Sequence, residues 1–311
     1  MTDICQQLLI EVGLPPGDLH GHPTSDGRFP DGGQYRIEIP SVEGLEAATA
    51  VLDQAARLGV PIHRMSSGSG ISLMTDDEIR DLAQLGFDAG VEICPFVGPK
   101  APWDGDSAAA LAPDGQVMGW RHSGMDQLLY ALRDVDRASR LGIRSVLLAD
   151  EGLIDVVARG RELGYFPADL VIKGSALLGL GNASAMRLLR GLGLDSMNVP
   201  GDLSLAKLAA VRSATDLIID LYIESPDSLG GFLRYHEVAE IVRVASPVYL
   251  KFGLRNAGGI YPSGGHLSQL ANSSSRERVR RARIGIDHLK RSSSDLIMSG
   301  GDPHRRGVPS P

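Results

Sequence analysis

The stretch RLGIRSVLLA, residues 140–149, holds a helix end, a glycine and a buried strand within ten residues. Its leucine packs the last helical turn, its glycine supplies a left-handed cap, and the apolar run that follows enters a sheet. The same signal recurs as RLGV at 57–60, QLGF at 84–87, ELGY at 162–165 and GLGL at 191–194. Each reads as the αβ junction of a repeated β-loop-α unit. The junction glycines at 59, 86, 142, 164 and 193 are 27, 56, 22 and 29 residues apart. The widest gap contains GPKAPWDGDSAAALAPDGQVMGWRH, residues 98–122, which reads as an insertion after the third strand and is expected to act as a lid.

Eight apolar strand cores follow from this punctuation, at 35–39, 60–65, 91–96, 144–149, 169–173, 195–199, 216–223 and 247–252. Helices are predicted between them at 43–58, 75–85, 123–141, 153–163, 182–191, 203–213 and 229–243, with a last one at about 275–291. Eight alternating units predict an α/β fold, a (β/α)8 barrel. A doubly wound dinucleotide-binding sheet would carry a GxGxxG turn after its first strand, and none is present. The predicted organisation is an N-terminal extension over 1–33, the barrel over 34–291 with its closing helix, and a disordered tail over 292–311, SSSDLIMSGGDPHRRGVPSP.

Composition narrows the function classes. The 311 residues are 43% hydrophobic and carry a net charge of -7, which gives no electrostatic reason for a nucleic-acid or anionic-membrane partner. No apolar run approaches a membrane span, and the N-terminus lacks a secretory signal pattern, so a cytoplasmic protein is expected. Two cysteines, Cys5 and Cys94, are too few for a disulfide framework, a four-cysteine zinc site or a cysteine-ligated iron–sulfur cluster. Of only five lysines, Lys173 and Lys251 fall in predicted strands.

Alternation along a barrel strand sends every second side chain inward. By this parity the interior is predicted to hold Arg36 and Glu38 from the first strand, His63 from the second, and Glu92, Cys94 and Phe96 from the third. Lys173 comes from the fifth strand, Asn198 from the sixth, Asp220, Tyr222 and Glu224 from the seventh, and Tyr249 and Lys251 from the eighth. Buried charge is costly unless paired, and an inert barrel interior is filled by branched apolar side chains. A polar interior therefore points either to a neutralising structural network or to a polar ligand at the C-terminal ends of the strands.

Two glycine-rich loops suit an anion. The loop SSGSGIS at 66–72 follows the second strand, and its backbone N–H groups, with Ser66 and Gly68, could cradle a carboxylate or phosphate. The loop after the eighth strand adds Arg255, Asn256, Ser263 and His266 as donors. No HExxH, DxDxDG or P-loop spacing occurs, so no metal ligands are assigned. Carboxylates with His63 would suit Mg or Mn if a divalent metal were present.

The stretches EIPSVEG, PIHRMSSGSG, VEICPFVGP, NVPGDLSL and RERVRRARIGIDHL, with the long run from DLYIESPDSLGG to YPSGGHL, resemble actinobacterial-type proteins of peptidase family U-32. The resemblance spans about residues 30–291 and implies a TIM-like barrel. The wider family includes collagenase-like peptidases and proteins of oxygen-independent hydroxylation, marked by a cysteine-containing signature. That signature is absent here, so no cysteine chemistry is carried over to Cys94.

The expected function is a small-molecule enzyme of lyase or isomerase type acting on a carboxylated or phosphorylated substrate. Lys251 or Lys173 would serve electrostatically or as a Schiff-base amine, with Glu92, Asp220, Tyr222 and Glu224 moving protons. The alternatives are a peptide or amide hydrolase, with or without a metal, and a non-catalytic binding subunit. A homo-oligomer is open to either.

Overall fold

The computed structural model describes residues 3–98, 120–293, 295–301 and 305–311. The eight strands are β1 Tyr35–Pro40, β2 Arg64–Ser66, β3 Glu92–Cys94, β4 Ser145–Leu148, β5 Val171–Gly174, β6 Ser196–Asn198, β7 Ile218–Glu224 and β8 Val248–Phe252. They pair in the order β3-β2-β1-β8-β7-β6-β5-β4, parallel at every step. The remaining seam, between β3 and β4, is bridged by Phe96 and Leu147. There the Val97 N–H donates to Leu147 O at 3.0 Å and the Leu147 N–H donates to Pro95 O at 2.9 Å. This is the (β/α)8 barrel that the strand count predicts.

The helices are α1 Ile4–Glu11, α2 Leu45–Leu58, α3 Asp76–Ala89, α4 Gly124–Arg140, α5 Glu151–Glu162, α6 Ala183–Gly191, α7 Leu205–Ser213, α8 Val238–Ala245 and α9 Ser268–Ser292. Their starts are fixed locally. Thr75 and Glu78 form a reciprocal capping box on α3, while Asp150, Asn182 and Ser204 cap α5, α6 and α7 through their side chains. Alternate strand residues such as Ile37, Ile39, Val146, Ile172, Ile219 and Leu250 are buried against these helices. Each buried aliphatic side chain of this size contributes about 1.5–3 kcal/mol.

Four of the five junction glycines, 59, 142, 164 and 193, adopt positive φ as the cap requires. The fifth, Gly86, lies inside α3, which runs on to Ala89 and is capped by Gly90. A Cβ at Gly86 would lie 2.5 Å from Ile93 Cγ1, so that glycine is there for close helix–strand packing. The helix predicted at 229–243 begins only at Val238, because Gly230 and Gly231 both take positive φ. The final helix is longer than predicted, running from Ser268 to Ser292.

The segments outside the barrel close its N-terminal end. Phe29 meets the Tyr249 ring edge-on at 5.6 Å, with the Arg36 guanidinium 3.9 Å from the Phe29 centroid. From the other side, the Ser299 N–H donates to Tyr35 O at 3.0 Å and Ser299 Oγ accepts from Arg36 Nε at 3.0 Å. Further on, Arg305 donates to the carbonyls of His63 and Gly90, and Ser310 N–H to Gly142 O. The described part of 292–311 is thus packed. Its Ser, Gly and Pro content reads as disorder, but it is held through backbone groups at the strand starts, which composition does not register. The insertion expected as a lid lies, for residues 99–119, outside the described residues.

Candidate active site at the polar barrel axis

The barrel axis is filled by three carboxylates and three cations, all at most 2% exposed. Glu38 on β1 is the hub. Its Oε2 lies 2.5 Å from Lys173 Nζ and 3.2 Å from Arg64 Nη1, and its Oε1 accepts from Ser66 Oγ at 2.7 Å and lies 3.2 Å from Lys251 Nζ. Asp220 on β7 takes Arg64 Nη1 at 2.9 Å, Ser196 Oγ at 3.0 Å and Lys173 at 3.5 Å. Glu92 on β3 takes Arg64 Nε at 2.8 Å, Ser145 Oγ at 2.6 Å and the Tyr249 hydroxyl at 3.1 Å. Arg64 therefore ties all three carboxylates together, and its guanidinium lies 3.7 Å from the Tyr249 ring centroid.

Charge balance is what makes this tolerable in a low-dielectric interior. Burial alone would raise the Glu38 carboxyl, but Lys173, Lys251 and Arg64 hold it well below the usual carboxylate range. Burial is likewise outweighed at Glu92 by Arg64 and by hydrogen bonds, and Glu92 is held low. Burial disfavours the Arg64 cation, yet the facing carboxylates keep it firmly protonated.

The side of this network nearer the C-terminal strand ends is formed by Lys251, Tyr222, Asn198 and Ser66. Lys251 Nζ lies 4.4 Å from the Tyr222 ring centroid. The Asn198 amide, oriented so that both ends are satisfied, donates to Asp220 O at 3.2 Å and accepts from Lys251 Nζ at 2.8 Å. Among the described residues the Tyr222 hydroxyl has no hydrogen-bond partner. Burial, and then the charge of Glu38, raises its pKa. Leu147 on β4 is partly buried, whereas Lys251, Tyr222, Asn198 and Ser66 are all buried.

Several predicted residues lie elsewhere. His63 does not face the network: its Nδ1 accepts from Ile37 N–H at 3.1 Å and its Nε2 donates to Ser299 O at 3.0 Å, at the N-terminal end of the barrel. The β2 side chains in the interior are Arg64 and Ser66, which the parity reading missed. Met65, apolar and outward, shares the parity of His63 and is the signal that could have placed Arg64 inside. Arg36 is inward but turned to the same N-terminal end, where Tyr249 and Ser299 bind it.

Glu224 also leaves the ring. A register shift after Tyr222 turns it away, so that it accepts from the Tyr235 hydroxyl at 2.5 Å and from Arg255 N–H at 3.0 Å, with Arg281 of α9 at 3.7 Å. The Arg255 side chain is 56% exposed and pairs with Asp227 at 3.4 Å, and Asn256 N–H donates to Asp227 Oδ2. Ser263 N–H donates to Ser69 Oγ, and His266 is exposed. These four do not converge on one point.

The loop after β2 does bind a carboxylate, and it is the protein's own. Gly68 N–H donates to Glu43 Oε1 at 2.6 Å and Ser69 N–H to Glu43 Oε2 at 3.1 Å. Cys94 is inward and buried, and burial pushes its thiol up to about 12, where it is no thiolate nucleophile. Among the described residues no three His, Cys, Asp or Glu side chains are grouped to hold a metal ion. Among them also, no helix is long and apolar enough to cross a membrane.

No protein-family model matches the chain, and no curated protein matches it. Solved structures do resemble it. A provisional lyase/mutase from Burkholderia cenocepacia J2315 is 15% identical, with a TM-score of 0.44, covering 81% of this chain and 82% of that one. A U32 peptidase is 14% identical, with a TM-score of 0.39 and 82% of each chain covered. A truncated 3-deoxy-D-arabino-heptulosonate 7-phosphate synthase from Thermotoga maritima is 11% identical, with a TM-score of 0.45, covering 90% and 96%. At such identities and scores none of these proteins lends its chemistry to this chain.

Proposed function

We propose that the protein is a small-molecule enzyme of lyase or isomerase type, working at the C-terminal end of the barrel axis. The observation that carries this reading is the pairing of Lys251 with Tyr222. An ammonium fixed by Glu38 and Asn198 lies against a tyrosine whose hydroxyl is uncommitted among the described residues. In this reading Lys251 steadies negative charge developing on a substrate oxygen, as a preorganised cation in a dry site does. Tyr222, whose raised pKa keeps it protonated, delivers the proton.

The geometry favours an electrostatic over a covalent role for the lysines. Lys173 is fully buried and committed to ion pairs with Glu38 and Asp220, which disfavours it as a Schiff-base amine. Glu92 and Asp220 hold the cations in place in this reading, and do not touch substrate. A small carboxylated or phosphorylated metabolite is the substrate class.

The test is turnover of a metabolite extract, followed by mass spectrometry, with wild type, Lys251→Met and Tyr222→Phe. Consumption of a component by wild type, reduced roughly 10²–10³-fold in Lys251→Met and about 10²-fold in Tyr222→Phe, is expected. Full activity in a folded Lys251→Met protein would overturn the reading.

A further inference from the structure

Arg278 of α9 is 4% exposed yet poorly satisfied. It reaches over the C-terminal end of β1, where Nη1 donates to Ser41 O at 3.1 Å. Its buried Nε has no acceptor. Among the described residues no carboxylate forms an ion pair with it, whereas Arg64, Lys173 and Lys251 at the barrel axis each have one. A buried guanidinium left in this state is costly to the fold, and a bound anion would relieve the cost.

The surroundings define which anion. Tyr222 lies within electrostatic range of Arg278, as do Tyr261 and Glu43. Tyr261 donates to Ser41 Oγ at 2.5 Å and covers Gly68, where a Cβ would lie 2.5 Å from its ring. Glu43 is held nearby by Gly68 and Ser69. Arg278 and Glu43 are the charges at this point, Glu43 being held by neutral backbone N–H groups, while Lys251 is neutralised by Glu38. An added monoanion leaves one negative charge in excess and a dianion leaves two, so the surroundings tolerate a monoanion better than a dianion.

We infer that Arg278 and Tyr222 form the binding site for a substrate carboxylate, a monoanion, and that phosphate is not the group recognised there. This deepens the reading of the barrel as an enzyme and rests on it for the word substrate. It moves anion recognition from Arg255 and its neighbours, which are exposed, to a helix of the outer ring. The carboxylate would anchor the molecule with its reacting part toward Tyr222 and Lys251. Bidentate recognition is within the guanidinium's capacity, since Nε is one of its two forked donors.

The test reads Arg278 in the intact wild-type protein. Arginine Nε–H resonances are assigned with the Arg278→Lys variant and followed during titration with pyruvate and, separately, with inorganic phosphate. The expected result is a saturable shift of the Arg278 resonance with pyruvate, at least 5-fold tighter than with phosphate. Weakening of pyruvate binding by about tenfold or more in Arg278→Lys, with the fold retained, supports the same conclusion. No shift with either anion, or phosphate binding tighter than pyruvate, would overturn the proposal. Lys251→Met separates the two readings. If it keeps turnover while pyruvate still shifts Arg278, the enzymatic assignment fails and the carboxylate site stands. If turnover depends on Lys251 but Arg278 never responds, the reverse holds.

Discussion

Lys173 Nζ sits 2.5 Å from Glu38 Oε2, and neither side chain is exposed at all. Buried pairs of this kind contribute little net stability when intact, because desolvation offsets attraction, yet removing one partner strands the other. Glu38→Gln would leave Lys173, Lys251 and Arg64 short of a countercharge. It is expected to destabilise the protein by about 3–5 kcal/mol in urea unfolding. The double variant Glu38→Gln/Lys173→Met should cost less than the sum of the two single changes. Additivity would mean the pair is not coupled.

Acid sensitivity follows from the same network. Glu38 and Glu92 are held below their ordinary value of 4.5 in the folded state. A depressed carboxyl contributes stability that is present above the unfolded pKa and is lost as pH falls toward the folded one. Asp150 behaves likewise: burial would raise it, but hydrogen bonds from His122 and Leu153 hold it at about 2 against 3.8. Melting temperature is therefore expected to fall steeply below about pH 4.5 from these groups. A melting temperature unchanged down to pH 3 would contradict the assignment.

His63 adds a separate limb at higher pH. Burial lowers it from 6.5 to about 4, with the Arg305 and Arg36 charges acting in the same direction. The unfolded chain takes up this proton first, so stability is full above pH 6.5 and declines between 6.5 and 4. The decline amounts to about 3 kcal/mol at most. His63→Gln should flatten denaturation midpoints across that window relative to wild type, whatever its effect at pH 8.

Thiol chemistry separates the cysteines. Cys5 is exposed and Cys94 buried. With an aromatic disulfide reagent the native protein should release one equivalent per chain quickly, and two in denaturant. Fast reaction of Cys94 in the native state would show that the barrel interior opens far more readily than its packing implies.

Removal of residues 295–311 tests the closure of the N-terminal end. It deletes the partners of Tyr35, Arg36, His63 and Gly142. A loss of at least about 2 kcal/mol is expected from the hydrogen bonds alone. A truncated protein with wild-type unfolding would show these contacts to be incidental.

The fold was legible because its signals are local. A leucine and a glycine before a short apolar run report a helix end whatever lies around them, and eight strands follow. The inward parity of Glu38, Glu92, Lys173, Asp220 and Lys251 was legible for the same reason. What depends on long-range partners was not. Arg64 was missed although the apolar Met65 beside it carried the parity, because His63, which pairs with Ile37 and Ser299 before β2 begins, reads as part of the strand. Glu224 was misdirected by a bulge that no residue type announces. Arg278 lies on a helix rich in arginines, and nothing in RERVRRARIGIDHL distinguishes the one that bends over β1 from those facing water.

The two oxygens of Glu38 divide their work: one serves Lys173 and Arg64, the other Ser66 and Lys251. The carboxylate thus makes the foundations of the barrel and the C-terminal end of its axis electrically one object. A genetic screen scored on activity would rank Glu38, Arg64, Lys173 and Asp220 beside Lys251, since losing any of them unbalances the rest. Only variants sorted first by whether they fold would reveal which of these charges meets a substrate and which keeps the others in place.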